Sequence, residues 1–161
     1  MPGDENSKVY WNADEALSRI KKYCAFQERC HSEVRYKLIE HGIYGDLLED
    51  IVVTLITEGF LDEERYARSY ARGKFRMNEW GKTRIKQELK DRQVTDYCIR
   101  AGLSEIGDAE YLETLKKLLT SKSGTIKDKD VYAKKRKLTA YAQTRGFEYA
   151  VIASALEELE L

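Results

Sequence analysis

The sequence predicts an all-α protein, an elongated, curved array of about nine helices grouped as tandem three-helix repeats. Apolar residues recur at helical spacing from residue 13 almost to the end of the chain, as in amphipathic helices. The single proline, Pro2, precedes this region, so no later residue is barred from a helix. Charged residues make up 35% of the chain, above the roughly 25% of an average domain, which favours an elongated molecule with much exposed surface.

Three helix ends about fifty residues apart indicate the repeat. At each of them an apolar residue lies four positions before the end of a helix, and another apolar residue follows that end. These ends are Leu38 to Gly42-Ile43, Leu89 to Gln93-Val94 and Ala142 to Gly146-Phe147. Chance similarity among helix pairs is the alternative. The predicted division is a flexible N-terminus over 1–11 and repeats over 12–60, 61–106 and 107–161.

The first repeat begins with an apolar helix face and continues with two predicted N-caps. Asn12 or Asp14 caps the first helix, whose shared face is made of Ala13, Ala16, Leu17, Ile20 and Cys24. Ser32 is a good N-cap for the second helix. Asp46 with Glu49 three residues later resembles a capping box for the third helix.

The second repeat follows the same plan. Asp62 is the predicted cap of a helix whose inner face comprises Tyr66, Ala67, Tyr70, Ala71 and Phe75. A loop over 80–81 leads into a short basic helix in which Ile85 and Leu89 point inward. Thr95 is the predicted cap of the sixth helix.

The third repeat holds the longest predicted loop. Asp108 is the predicted cap of its first helix, and the polar stretch 121–129 is expected to be a mobile loop. A long basic helix then runs to Gly146, and the last helix carries an apolar stripe led by Ile152. Each repeat therefore buries one face against its neighbours.

The formal net charge of zero hides a strong alternation of acidic and basic blocks. Residues 1–64 contain 7 basic and 14 acidic side chains, whereas residues 65–100 contain 11 basic and 4 acidic ones. Residues 116–145 contain 10 basic and 2 acidic side chains. Helical spacing collects Arg68, Arg72 and Arg76 in one row and Lys82, Lys86 and Lys90 in another. Such rows suit a phosphate backbone or an acidic protein, although a solvated charged face is the alternative.

The candidate binding residues are the cations of these two blocks, with Trp80 as a surface ring able to stack on a base. The candidates are Arg68, Arg72, Lys74, Arg76, Lys82, Arg84, Lys86, Lys90, Arg92, Lys134, Lys135, Arg136, Lys137 and Arg145.

Catalytic, metal and cofactor sites are not predicted. Cys24, Cys30 and His31 lack the paired spacing of a zinc site, and Cys24 falls on an apolar face. The acidic run 62–64 suits a helix cap better than a nuclease metal site, which is kept as a hypothesis. An odd, sparse cysteine count, no apolar leader and no membrane-length run predict a soluble cytoplasmic protein. A monomer is expected.

Three segments resemble motifs of the RecX family, which modulates the RecA recombinase. They are Gly59 to Ala67 (GFLDEERYA), Trp80 to Leu89 (WGKTRIKQEL) and Arg145-Gly146-Phe147. A looser similarity lies over 32–38, and the resemblance covers roughly residues 12–160. One departure is Gln93, which stands where the family often has a glycine. The motif positions expected to be structural are Gly59, Phe60, Asp62, Tyr66, Ala67, Gly81, Ile85, Leu89, Gly146 and Phe147.

The resemblance implies a non-enzymatic protein that lodges in the groove of the RecA–DNA filament. There it would restrain filament growth, ATP hydrolysis, strand exchange and co-protease activity, in recombination and the SOS response. The implied partners are the RecA filament and single- or double-stranded DNA, bound weakly or only within the filament. The alternative is a stand-alone helix-turn-helix DNA-binding module, with the helix after Gly81 as its recognition helix.

Overall fold

The computed structural model describes residues 9–161, and within this range the chain forms nine α-helices and no strand. The helices follow in three consecutive triplets, which confirms the predicted all-α repeat fold. They are α1 (Ala13–Phe26), α2 (His31–Glu40), α3 (Gly45–Thr57), α4 (Glu63–Asn78), α5 (Lys82–Asp91), α6 (Asp96–Leu103), α7 (Asp108–Ser123), α8 (Val131–Thr144) and α9 (Tyr149–Glu158).

The predicted flexible N-terminus lies mostly outside the described residues. Residues 9–11 are described, and they pack against the end of α2 rather than extending freely. The Trp11 ring stacks on the His41 ring with 3.8 Å between centroids, and the Trp11 amide donates to the His41 carbonyl at 3.1 Å. None of the helices between residues 9 and 161 is long and apolar enough to cross a membrane.

Three predicted N-caps are confirmed by their hydrogen bonds. The side chains of Asn12, Asp62 and Thr95 each accept from the backbone amide three residues later, at the starts of α1, α4 and α6. Each bond satisfies one of the amides that a helix leaves without a partner in its first turn.

Three other predicted helix starts are wrong by one or two residues. Cys30, not Ser32, is the N-cap of α2, because the Ser32 hydroxyl donates instead to the Arg92 carbonyl at 2.8 Å. Helix α3 starts at Gly45, and no capping box forms there because Glu49 pairs with Arg35. Helix α7 already includes Asp108.

The predicted loop over 121–129 is also too long. Helix α7 continues to Ser123, whose side chain is buried. The connection to α8 is therefore shorter than the polar composition of this stretch suggests.

The three middle helices α2, α5 and α8 end in the same way. Gly42, Gln93 and Gly146 have left-handed φ angles of 82°, 61° and 99°. The residue after each of them is buried, and its amide donates to the carbonyl five residues earlier, at 2.9 to 3.1 Å. This is the Schellman arrangement. Gln93 thus adopts the conformation that glycine provides in the other two repeats.

Replacing Gln93 by glycine is expected to stabilise the protein by about 0.5–1 kcal/mol. A left-handed conformation costs an L-residue about 1–2 kcal/mol, part of which glycine loses again as chain entropy on folding. Urea unfolding followed by circular dichroism measures the change. The control is Gln93→Ala, which removes the side chain and keeps the strain. An alanine variant at least as stable as the glycine variant would contradict the explanation.

The buried residues form two hydrophobic cores. One lies inside the first repeat and includes Ile20, Leu38 and Leu55. The other is continuous through the second and third repeats, from Tyr66 to Leu156, and also includes Cys30 of the first repeat. Leu61, which the sequence assigns to the second repeat, is buried in the first core. The repeat boundaries drawn from sequence stay predictions.

The second and third repeats meet where the end of α8 abuts the start of α5. The amides of Gly81 and Thr83 donate to the carbonyls of Arg145 and Gly146 at 2.8 and 2.9 Å. A Cβ atom on Gly81 would lie 2.2 Å from the Gly146 carbonyl carbon. Only two glycines allow the backbones to approach this closely.

A buried tyrosine completes this contact. The Tyr111 hydroxyl accepts from the Lys82 amide at 2.9 Å and donates to the Glu148 carboxylate. Burial, and then the bond to Glu148, raise the pKa of Tyr111, so the hydroxyl keeps its proton. The first three amides at the start of α5 are therefore all bound by the third repeat.

The first and second repeats meet in an equivalent place. The end of α5 approaches the start of α2, where Ser32 donates to the Arg92 carbonyl. The Tyr66 hydroxyl donates to Glu33 at 3.0 Å across the same contact. The middle helices α8, α5 and α2 thus follow one another head to tail, each carboxyl end against the next amino end, which is favourable for their dipoles.

Candidate functional site

The arginine row of α4 is engaged in ion pairs with the residues that follow α6. Arg68 and Arg72 both contact Glu105, at 3.0 and 3.2 Å, and Arg76 lies 3.5 Å from Glu110. The bond from Arg68 holds the pKa of Glu105 below its ordinary value. These arginines lie at the surface, as their spacing predicts, but their charge is already balanced by carboxylates.

Four more of the predicted binding cations form ion pairs or hydrogen bonds with other residues of the chain. Lys82 lies 3.8 Å from Asp108, and Arg92 lies 3.0 Å from Glu88 and 3.8 Å from Glu33. Arg145 donates to the Asn78 carbonyl at 2.7 Å. Lys137 pairs with Asp128. These contacts occupy N–H groups that could otherwise donate hydrogen bonds to a phosphate.

The remaining seven predicted cations have no ion-pair partner among residues 9–161. We call them the free cations. They are Lys74, Arg84, Lys86, Lys90, Lys134, Lys135 and Arg136. They come from α4, α5 and α8, and all except Lys74 and Lys134 are well exposed.

Two of the free cations lie over the ring of Trp80. The Lys74 ammonium lies 4.9 Å from the centroid of the Trp80 ring, and the Arg84 guanidinium lies 4.0 Å from it. We call these three residues the Trp80 clamp. An aromatic face attracts cations without neutralising them, so both side chains keep donors for an anion. The Trp80 ring is half-buried, in the predicted loop between α4 and α5.

The other free cations lie on α5 and α8. Lys86 and Lys90 lie one turn apart on α5, and Lys134, Lys135 and Arg136 are consecutive on α8. Tyr132 and Tyr149 lie beside Lys135 and Arg136 and are 76% and 67% exposed. The sequence does not mark these two tyrosines as surface residues, because neither departs from the helical pattern of its neighbours.

The start of α5 is closed to DNA by the third repeat. A helix-turn-helix protein places the first residues of its recognition helix in the major groove. Here the amides of Gly81, Lys82 and Thr83 are bound by residues of the third repeat. This packing argues against the hypothesis of a stand-alone helix-turn-helix module.

The acidic run 62–64, the candidate for nuclease chemistry, is dispersed. Asp62 caps α4, Glu63 contacts the start of α2, and Glu64 lies 3.4 Å from Arg68. Within residues 9–161 no group of three His, Cys, Asp or Glu side chains is arranged to hold a metal ion.

The cysteines of the first repeat are core residues. Cys24 and Cys30 are both buried, and Cys30 is the N-cap residue of α2. Burial raises the pKa of Cys24 to about 11 and also raises the pKa of Cys30. Both thiols therefore stay protonated near neutral pH, which makes them poor nucleophiles and poor metal ligands.

Comparison with known protein families identifies the family of this chain. Models of the second and third three-helix domains of RecX match residues 62–103 and 108–156, together more than half of the chain. The chain belongs to the RecX family. The resemblance found in the motifs is thus confirmed.

Individual RecX proteins align over most of the chain. The regulatory protein RecX of Clostridium acetobutylicum is 29% identical over 159 residues, 96% of this chain and 72% of that protein. That of Lactococcus lactis subsp. lactis is 30% identical over 160 residues, 98% of this chain and 59% of that protein. The chain spans only about half the length of several other RecX relatives.

Solved RecX structures share the fold. The crystal structure of RecX from Lactobacillus salivarius has a TM-score of 0.86 at 24% identity, covering 92% of this chain and 96% of that one. A second RecX crystal structure has a TM-score of 0.81 at 23% identity and covers 90% of this chain and 71% of that one.

Proposed function

We propose that the chain is a modulator of RecA that binds the RecA–DNA filament and restrains it. Membership of a family of regulatory proteins supports a protein partner. The proposal extends to the effects that the RecX resemblance implies, namely slower filament growth, ATP hydrolysis, strand exchange and co-protease activity. The protein acts in the cytoplasm as a monomer and has no catalytic role of its own.

The free cations are the observation that carries this proposal. The seven free cations lie on the second and third repeats and have no ion-pair partner among residues 9–161, whereas the neighbouring arginines of α4 are balanced by Glu105 and Glu110. Unbalanced cations release counterions from a phosphate backbone when they bind it, and this favours association. The free cations therefore meet DNA phosphates or acidic RecA surface within the filament.

A zero net charge limits the binding of DNA alone. Residues 1–64 carry twice as many acids as bases, and this excess offsets at long range part of the attraction that the basic repeats exert on a polyanion. DNA contact is accordingly weak outside the filament, and the filament supplies the remaining binding energy through protein contacts. The paired row of α4 belongs to the scaffold rather than to the phosphate-binding surface.

The test is the single-strand-dependent ATPase of the cognate RecA. We expect the purified chain to lower the steady-state rate at about one molecule per few RecA protomers, with the effect weakening as salt rises. The same assay without DNA provides the baseline. Unchanged hydrolysis at stoichiometric protein, at low and moderate salt, would refute the proposal.

A further inference from the structure

A cleft on the first repeat brings aromatic rings and cations together. It is lined by residues of the segment before α1, of α1 itself, of the turn between α1 and α2, and of α2. The first repeat is the acidic end of the chain, and the RecA proposal leaves this cleft without a role.

The aromatic residues of the cleft are well suited to stacking. The Trp11 ring is supported by His41, with an angle of 4° between the two ring planes. The Arg29 guanidinium lies 3.7 Å from the centroid of the Tyr23 ring, and a flat guanidinium stacks on bases much as an aromatic ring does. Phe26 is 83% exposed at the end of α1.

The cations of the cleft are largely unbalanced. Arg19, Lys22 and Arg29 have no ion-pair partner in the part of the chain that the structure describes, and Lys37 lies 3.9 Å from Glu40. The lining also contains Asp14 and Glu15, both in the first turn of α1. Glu15 accepts from the Asn12 amide group at 3.1 Å and so belongs to the helix cap. The four cations outnumber the two carboxylates, so the lining carries a net positive charge.

We propose that this cleft binds a single-stranded polynucleotide. Arg19, Lys22 and Phe26 follow one another at helical spacing on α1, so phosphate-binding groups lie beside an exposed ring on one face. Unpaired bases stack on aromatic side chains while cations hold the backbone, whatever the sequence of the strand. A duplex hides its base faces, and an acidic peptide leaves the rings without partners, so both fit less well.

The two tryptophans of the chain allow a direct test. They are Trp11 in the cleft and Trp80 in the clamp, so the Trp80→Phe variant leaves Trp11 as the only indole reporter. We expect an oligothymidylate of about 20 nucleotides to quench Trp11 fluorescence at low salt. A duplex of equal length and a polyglutamate of equal charge should quench it at least five times more weakly at the same concentration.

The complementary variant separates this site from the RecA proposal. In the Trp11→Phe chain the fluorescence comes from Trp80 in the clamp. If the unaltered chain inhibits RecA but Trp11 is not quenched in the Trp80→Phe chain, the proposed function stands and the cleft is refuted. If Trp11 is quenched in the Trp80→Phe chain but the unaltered chain does not inhibit RecA, the cleft stands and the proposed function is refuted.

Side-chain changes test the two kinds of contact in the cleft. In the Trp80→Phe background, Phe26→Leu should weaken binding at least about fivefold, the lower end of what one stacked base contributes. Tyr44→Leu is the matched control, since Tyr44 is 76% exposed and lies outside the cleft. Arg19→Glu with Lys22→Glu should make the negative slope of log affinity against log salt shallower by about 1.4.

Three results would overturn the assignment. They are an unquenched Trp11, equal quenching by the duplex or by polyglutamate, and equal losses in the Phe26→Leu and Tyr44→Leu variants. Circular dichroism confirms that each variant keeps its helices, so that a loss of binding is not a loss of fold.

Discussion

The Gly81→Ala variant is expected to lose about 3 kcal/mol of stability, which lowers Tm by roughly 6–12 °C in a chain of this size. The added methyl group would lie 2.2 to 2.3 Å from the backbone atoms of Gly146 and Phe147. Backbone cannot rotate away as a side chain can, so the two repeats must separate. Separation would break the bonds from Gly81 and Thr83 to the end of α8 and open the shared core. Differential scanning calorimetry measures the loss.

The matched control is Gly73→Ala, for which the opposite sign is expected. Gly73 lies within α4, and apart from its chain neighbours and the backbone of its own helix no atom lies within 4 Å of the position that an added methyl group would take. Alanine there should stabilise the protein by about 0.5–1 kcal/mol, the usual difference between these residues in a helix interior. If both variants shift Tm in the same direction, the close contact at Gly81 does not hold the repeats together.

The helices and their ends were predictable because their signals are local. Apolar spacing and the Asp62 and Thr95 caps depend on residues within one turn of each other. The equivalence of Gly42, Gln93 and Gly146 followed from spacing alone, and the structure gives all three a left-handed φ. Ser32 shows where local rules fail, because its hydroxyl bonds a carbonyl sixty residues away.

The candidate site was only partly predictable because ion pairing is not local. Arg68 and Arg72 form a basic row in the sequence, yet they share Glu105, which lies beyond α6. Nothing in the spacing of Glu105 marks it as their partner. The role of Gly81 was likewise visible only as a family motif, since its contact with Gly146 joins loops of different repeats. Helical periodicity locates cations on the surface but does not say which of them are already balanced.

The free cations are expected to govern the strength of RecA inhibition. Reversing Lys86 and Lys90 together to glutamate should raise the concentration needed for half-maximal RecA inhibition at least about tenfold, and so should reversing Lys135 and Arg136. Each pair changes the net charge by the same amount and replaces attraction to phosphate by repulsion. The salt dependence of inhibition should flatten, since fewer counterions are released on binding.

The fold should not change in these variants, and this separates the prediction from a stability effect. The four side chains are exposed and have no ion-pair partner among residues 9–161, so each reversal should alter stability by no more than about 0.5 kcal/mol. The control reverses Arg100 and Lys117, which are equally exposed and unpaired in that range but lie outside the free cations. If the control pair weakens inhibition as much as the test pairs do, overall charge and not this surface governs binding, and the assignment of the free cations is wrong.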